Sequence, residues 1–316
     1  MSDLSYLQAV TIGALQGVTE LFPVSSLGHS VLVPAFIGGS WQHLVTENAT
    51  SNSEGSPYLA FIVALHVATA GALLVFYRKD WARIIGAFLT TLRTRAITNS
   101  SERLAWLIVV ATIPVGITGL VLEHTFRTLF AKPLAAAIFL AINGLILLLG
   151  ERLRRNSEAR RTADAPVPAT VGGPGAALAS DIQDGSRTER NLATLSFREA
   201  GVIGLFQTLA LLAGISRSGI TMVGGLLRGL DHEDAAKFSF LLATPVILAA
   251  GVLKLPTLAG SSASGIHGQV IAGFIVAAIA AYIAVRFLSR YFTTRTLTPF
   301  AIYCLVVGAA GIVNFA

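Results

Sequence analysis

The chain has 316 residues, 53% of them hydrophobic and only 13% charged, with a net charge of +6, and its mean hydropathy is +0.69. This composition excludes a soluble globular domain and indicates an all-α polytopic membrane protein. Most Arg and Lys lie between apolar runs, so the positive charge reports topology rather than nucleic-acid binding. The single Cys304 leaves no internal disulfide.

The first apolar run, Leu4 to Ile37, is interrupted by Gln16, Glu20, Ser25, Ser26 and His29. Ionisable groups at membrane depth are costly and default to a functional reading. Pro23 breaks a helix and Gly28 permits a turn, which predicts half-helices over about 5–21 and 29–37 joined by a polar elbow. Neither half spans a bilayer, which takes about 20 residues. Because this run carries Glu20 and follows no basic segment, no cleavable leader is expected.

The loop 38–56 is polar and acidic. Pro57–Tyr77 is long enough to span. Trp81–Ile97 alternates apolar and basic residues at helical spacing, as does a helix lying along an interface. Leu104–Leu122 and Leu134–Gly150 are the next spans, the latter somewhat short. Glu151–Thr194 is rich in Arg and then in Pro, Ala, Gly and Ser; it cannot bury a core and is expected to be a disordered cytoplasmic linker. A second elbow follows over about 197–227, then spans at Phe238–Leu255, Ile266–Leu288 and Leu297–Phe315.

The elbows are copies. An offset of 191 residues takes Gly13 to Gly204, Gln16 to Gln207, Ser25 to Ser216 and Gly28 to Gly219 without a gap. The chemistry differs between them: Glu20 faces Leu211, Ser26 faces Arg217 and His29 faces Ile220. The positive-inside rule puts the basic segments 78–103, 151–198 and 286–295 on the cytoplasmic side. The first elbow then enters from outside and the second from inside. The expected architecture is six transmembrane helices plus two re-entrant helix pairs in an inverted-topology repeat. Residues 1–150 form one half, 151–195 the linker and 196–316 the other half. Re-entrant backbone must be covered by protein or line a water-filled cavity, so the elbows should face each other.

Two half-helix N-termini with Arg217 make an anion site, and Arg suits bidentate phosphate contacts. Ser25, Ser26, Ser216, Ser218 and Thr221 add hydroxyls. Gln16 and Glu20 share a helix face, and Glu20 either holds Mg²⁺ or Ca²⁺, orients His29 or acts as a base. His29 is a candidate general acid or base, and Ser26 is either a nucleophile or a phosphate donor. His66 and Asn143, within spans, read as hydrogen-bonders between helices. Asp231–Asp234, adjacent rather than at ligand spacing, reads as a solvated helix start.

Gln16, Glu20, Pro23, Val24, Ser25, Ser26, Gly28 and His29, together with Gly214, Ser216, Arg217, Ser218, Gly219 and Thr221, resemble the two motifs of the undecaprenyl-diphosphate phosphatase (bacitracin-resistance) family. Phe76–Asp80 and Phe238–Leu242 are also similar to it. Ala213 departs from the motif proline, Gln16 is the uncharged option at its position, and the linker is long for the family. The resemblance implies removal of the terminal phosphate from a polyprenyl diphosphate in a bacterial plasma membrane, with a site opening outward. It also implies dependence on a divalent cation, and recycling of the lipid carrier for cell-wall synthesis. In that reading Glu20, Ser26, His29 and Arg217 are catalytic, and Gln16, Ser25, Ser216, Ser218 and Thr221 bind substrate. The bilayer and the lipid are the expected partners, with no nucleic acid, and the oligomeric state is open. From the residues alone, a lipid-phosphate flippase or secondary transporter is the alternative.

Overall fold

A computed structural model describes residues 4–42, 44, 57–130, 132–163, 192–259 and 265–316. The stretches 45–56 and 164–191, which hold most of the acidic loop and of the expected linker, lie outside the described residues. Among the described residues there are helices and no strands. The first elbow joins α1 (Tyr6–Thr19) to α2 (Ser26–Ile37), and α3 (Pro57–Phe76) follows. Helix α4 (Arg78–Thr94) then leads to α5 (Ser100–Phe130) and α6 (Pro133–Ala163). In the second half, α7 (Phe197–Thr208) is joined to α8 (Arg217–Leu227) through a 3₁₀ turn at Leu209–Leu211. The last three are α9 (His232–Ala259), α10 (His267–Tyr291) and α11 (Thr298–Phe315).

Five of these, α5, α6, α9, α10 and α11, are long and apolar enough to cross a membrane. A sixth candidate is α3 with α4, which are bent by 87° at Tyr77. Past the bend, α4 buries Ile84 and Thr91 against the bundle, where Trp106 Nε1 donates to Thr91 Oγ1 at 2.9 Å. It leaves Ile85, Leu89 and Leu92 exposed among basic side chains. That is the geometry of a helix lying in an interface.

Both opening half-helices carry the same start signal. Ser5 and Ser196 each form a capping box, with Gln8 and Glu199 respectively; these boxes satisfy N–H groups that otherwise lack partners. Each half-helix then packs on a span of the other half through small residues. A Cβ on Gly13 would stand 2.5 Å from Gly273 O of α10, and one on Gly204 would stand 2.4 Å from Ala111 O of α5. Apolar lipid gives helices no hydrophobic reason to associate, so close backbone approach takes its place. The contacts also fix direction. Tyr6 sits by Gly268 near the start of α10, and Phe197 sits under Arg103 near the start of α5. Thus α1 runs alongside α10 from its beginning, and α7 alongside α5 from its beginning. Helices α6 and α11 pack together through Gly144, Gly308 and Gly311.

Several boundaries differ from the sequence reading: α2 begins at Ser26 rather than at about 29, α5 runs on past Leu122 to Phe130, and α9 begins at His232 rather than Phe238. Helix α6 does not end at Gly150 but continues to Ala163. Glu151 is buried, and His232 Nε2 at the start of α9 lies 2.5 Å from its carboxylate. The Asp231–Asp234 stretch is a helix start: Asp231 Oδ1 accepts from Asp234 N at 2.6 Å, and Asp234 accepts from Leu192 N at 2.8 Å.

Candidate active site

The elbows meet. Ser25 is the N-cap of α2, with Oγ accepting from Gly28 N at 3.2 Å, and the same oxygen accepts from Gly214 N of the other elbow at 3.1 Å. Ser25 adopts φ +69, a left-handed conformation unusual for a side chain with a Cβ. Two N–H donors on one oxygen hold it there. Gly28 is therefore not the turn residue expected. It lies inside α2, and its lack of a side chain lets the elbows touch, since a Cβ there would stand 2.9 Å from Gly214 Cα. Gly214, with φ +114, is the turn of the second elbow.

Asn143 of α6 ties the two together. Its Nδ2 donates to Pro23 O at 3.0 Å and its Oδ1 accepts from Ser216 N at 2.9 Å. Ser216 caps α8 by accepting from Gly219 N at 3.1 Å, and Ser218 Oγ donates to Phe22 O at 3.1 Å. Helices α2 and α8 therefore begin side by side, each aiming its first N–H groups at the join, an arrangement suited to an anion.

Charge is concentrated at one carboxylate. Arg217 donates from a terminal nitrogen to Glu20 Oε1. Ser26 Oγ donates to Glu20 Oε2, and Gln16 Nε2 donates to the same oxygen at 3.0 Å. His66 Nε2, from α3, stands 3.3 Å from that oxygen. Except for Gln16, these groups face a cavity of about 260 Å³ whose polar lining residues are Glu20, Ser25, Ser26, His66, Gln207, Ser216 and Arg217. Ile62, Val63, Val115, Val246, Ile247 and Ala250 are among the apolar residues that complete the lining.

Of the residues singled out from sequence, five line this cavity: Glu20, Ser25, Ser26, Ser216 and Arg217. Gln16, Ser218 and Thr221 stand behind it; Gln16 supports Glu20, and Thr221 is buried with no hydrogen-bond partner for its hydroxyl. His29 departs most from expectation. Its Nδ1 lies 2.7 Å from Ser25 O and its Nε2 2.8 Å from Tyr303 Oη of α11, and its ring stacks on that tyrosine. Both nitrogens are engaged, so the ring ties α2 to α11, and it is not among the residues that line the cavity. His66, read from sequence as a hydrogen-bonder between helices, and Gln207, noted there only as the copy of Gln16, also line the cavity.

The expected divalent ion finds a poor seat. Among the described residues no group of three or more His, Cys, Asp or Glu side chains converges. The one cavity carboxylate already accepts from Arg217, Ser26 and Gln16. A dication beside Glu20 would sit against the Arg217 guanidinium with a single protein carboxylate to hold it. The donor set does not fit a resident Mg²⁺ or Ca²⁺.

Comparison with known proteins matches the chain over almost its whole length. Residues 9–310 match the family described as bacitracin resistance protein BacA. The chain is 68% identical to "Undecaprenyl-diphosphatase 2" of Frankia alni, covering 100% of this chain and 99% of that one. It is 58% identical to "Undecaprenyl-diphosphatase" of Mycolicibacterium paratuberculosis, with the same coverage. It is 40% identical to "Undecaprenyl-diphosphatase 2" of Chromobacterium violaceum over 98% of each chain.

Proposed function

The chain belongs to the bacitracin resistance protein BacA family, and we propose that its joined elbows are the centre of an integral membrane phosphatase. The enzyme hydrolyses undecaprenyl diphosphate to undecaprenyl phosphate and inorganic phosphate, returning the lipid carrier to cell-wall synthesis. The observation that carries the reading is the contact between Glu20 of one elbow and Arg217 of the other beside Ser26. A general base, a hydroxyl and a fixed cation meet at the mouth of two helix N-termini.

The diphosphate takes the place that the Glu20 carboxylate now holds against Arg217. The guanidinium and the first N–H groups of α2 and α8 bind the terminal phosphoryl oxygens, where negative charge is stabilised throughout transfer. Ser26 Oγ attacks the terminal phosphorus and passes its proton to Glu20 Oε2. The bond to the bridging oxygen breaks, and undecaprenyl phosphate departs with that proton, leaving Glu20 ionised. Water then attacks the phosphoserine, Glu20 takes its proton and returns one to Ser26 Oγ, and inorganic phosphate leaves. The apolar side of the cavity, walled by Ile62, Val63, Val115 and Val246, receives the first isoprene units of the tail.

The two halves form an inverted-topology repeat, a reading supported by the reciprocal packing of α1 on α10 and α7 on α5. The basic helix ends lie in the cytoplasm of a bacterial cell, and the cavity opens toward the external face. Phosphate release from the lipid diphosphate by detergent-purified protein tests the function. Wild type turns over without two compartments, whereas a lipid-phosphate flippase or transporter releases nothing. Arg217→Ala and Ser26→Ala should each lower the rate by at least about a hundredfold; near-normal turnover in either rejects the site.

A further inference from the structure

His66 belongs to no motif and sits in an otherwise apolar helix. In α3, Pro57–Phe76, it is the only acidic or basic side chain. It is partly accessible, with 21% side-chain exposure, and that exposure is to the cavity. Its Nδ1 lies 2.8 Å from Ile62 O and its Nε2 3.3 Å from Glu20 Oε2. Both ring nitrogens therefore face acceptor oxygens, and only the doubly protonated ring donates to both. Its place along the cavity is equally specific. One turn away on the same helix, Ile62 and Val63 belong to the apolar wall, while across from it stand Glu20, Ser26 and Arg217. His66 marks the border between the trough for the tail and the end for the phosphate. For a lipid diphosphate bound with its terminal phosphorus at Ser26, that border is where the bridging oxygen and the lipid-linked phosphate lie.

We propose that His66 is the general acid of the reaction, protonating the departing undecaprenyl phosphate while Glu20 receives the proton of Ser26. The inference rests on the phosphatase reading above. As the bridging P–O bond breaks, the Nε2 proton passes to the leaving phosphate oxygen. Glu20 Oε2, now carrying the serine proton and in contact with Nε2, returns that proton to the imidazole. Glu20 is then ionised again and ready to take a proton from the water that cleaves the phosphoserine. Acid and base are thus coupled through one carboxylate oxygen, and no proton is left over at the end of the cycle. The charged groups that face His66 are Glu20, from the first elbow, and Arg217, from α8. The walls contributed by α5 and α9 are apolar.

The test is the pH dependence of kcat for phosphate release from undecaprenyl diphosphate in detergent, with wild type, His66→Gln and His66→Ala. Wild type should lose kcat on an alkaline limb as the imidazole gives up its proton. His66→Gln should lose about 10²- to 10⁴-fold in kcat, show little change in KM and lack that limb. A His66→Gln enzyme with wild-type kcat, or one that keeps the same limb at a lower rate, overturns the assignment and leaves His66 a structural residue. A wild-type kcat that stays flat to high pH overturns it without any variant. Turnover that survives in the His66 variants while Ser26→Ala and Arg217→Ala are dead refutes only this inference. Survival in all of them refutes the phosphatase site itself.

Discussion

Ser25 is in a left-handed conformation and yet is not glycine, because its hydroxyl holds two backbone N–H groups from two elbows. The same residue therefore carries strain and relieves it. Replacing an N-cap Ser by Ala costs about 0.5–2 kcal/mol, by Gly only a few tenths, and Gly also accepts the positive φ. Ser25→Gly should accordingly melt higher than Ser25→Ala, an order opposite to the usual one at helical positions; thermal unfolding in detergent reads it directly. Glu20 gives the second prediction at this scale. Removing its charge leaves the partly buried, cavity-facing Arg217 guanidinium without its carboxylate; breaking a fully buried pair costs about 3–5 kcal/mol, and this pair should cost less. Glu20→Gln should lose both stability and turnover, and Glu20→Asp should recover part of the stability. Much of this chemistry was legible in the sequence, since Glu20, Ser25, Ser26, Ser216 and Arg217 all line the cavity. His29 is absent from the cavity lining for a local reason. It stands one turn into α2 beside Ser26, but Ser25 O engages its Nδ1 and the ring faces Tyr303. His66 left only a faint signal, a lone imidazole within a span, and its significance depends on which face of α3 meets the elbows.

At the scale of elements, the join depends on absent side chains. Gly28 and Gly214 touch backbone to backbone, and Gly13, Gly17 and Gly204 let α1 and α7 rest on α10 and α5. Gly28→Ala places a methyl 2.9 Å from Gly214 Cα and must push the elbows apart. Its expected effect is a loss of turnover well beyond its loss of stability, because Glu20 and Arg217 sit on opposite sides of that contact. Gly204→Leu should act the other way, unseating a whole helix and lowering the yield of folded protein. The duplicated frame made both elbows legible before any coordinates. The end of α6 was not, since the apolar run stops at Gly150 while the helix does not. Glu, Arg, Leu and Ala continue a helix readily outside hydrocarbon, and the buried contact of Glu151 with His232 holds the extension.

For the whole molecule, the proposed mechanism divides the chemistry between two similar halves, with Glu20 and Ser26 on one and Arg217 on the other. Residues 164–191 include none of the residues assigned to that division. Replacing them with a flexible Gly/Ser segment of equal length should leave phosphate release and bacitracin protection unchanged; loss of either would assign the segment a role that its composition does not suggest. The claim on which everything rests is that both elbows act on one phosphate. Groups that act as a unit in catalysis show grossly non-additive losses, so the decisive measurement is a double-mutant cycle on kcat for phosphate release with Ser26→Ala, Arg217→Ala and the combined variant. The combined variant should be no slower, within a few-fold, than the worse of the two singles. Losses that multiply in full would mean that the two elbows contribute independently, and the shared centre would be wrong.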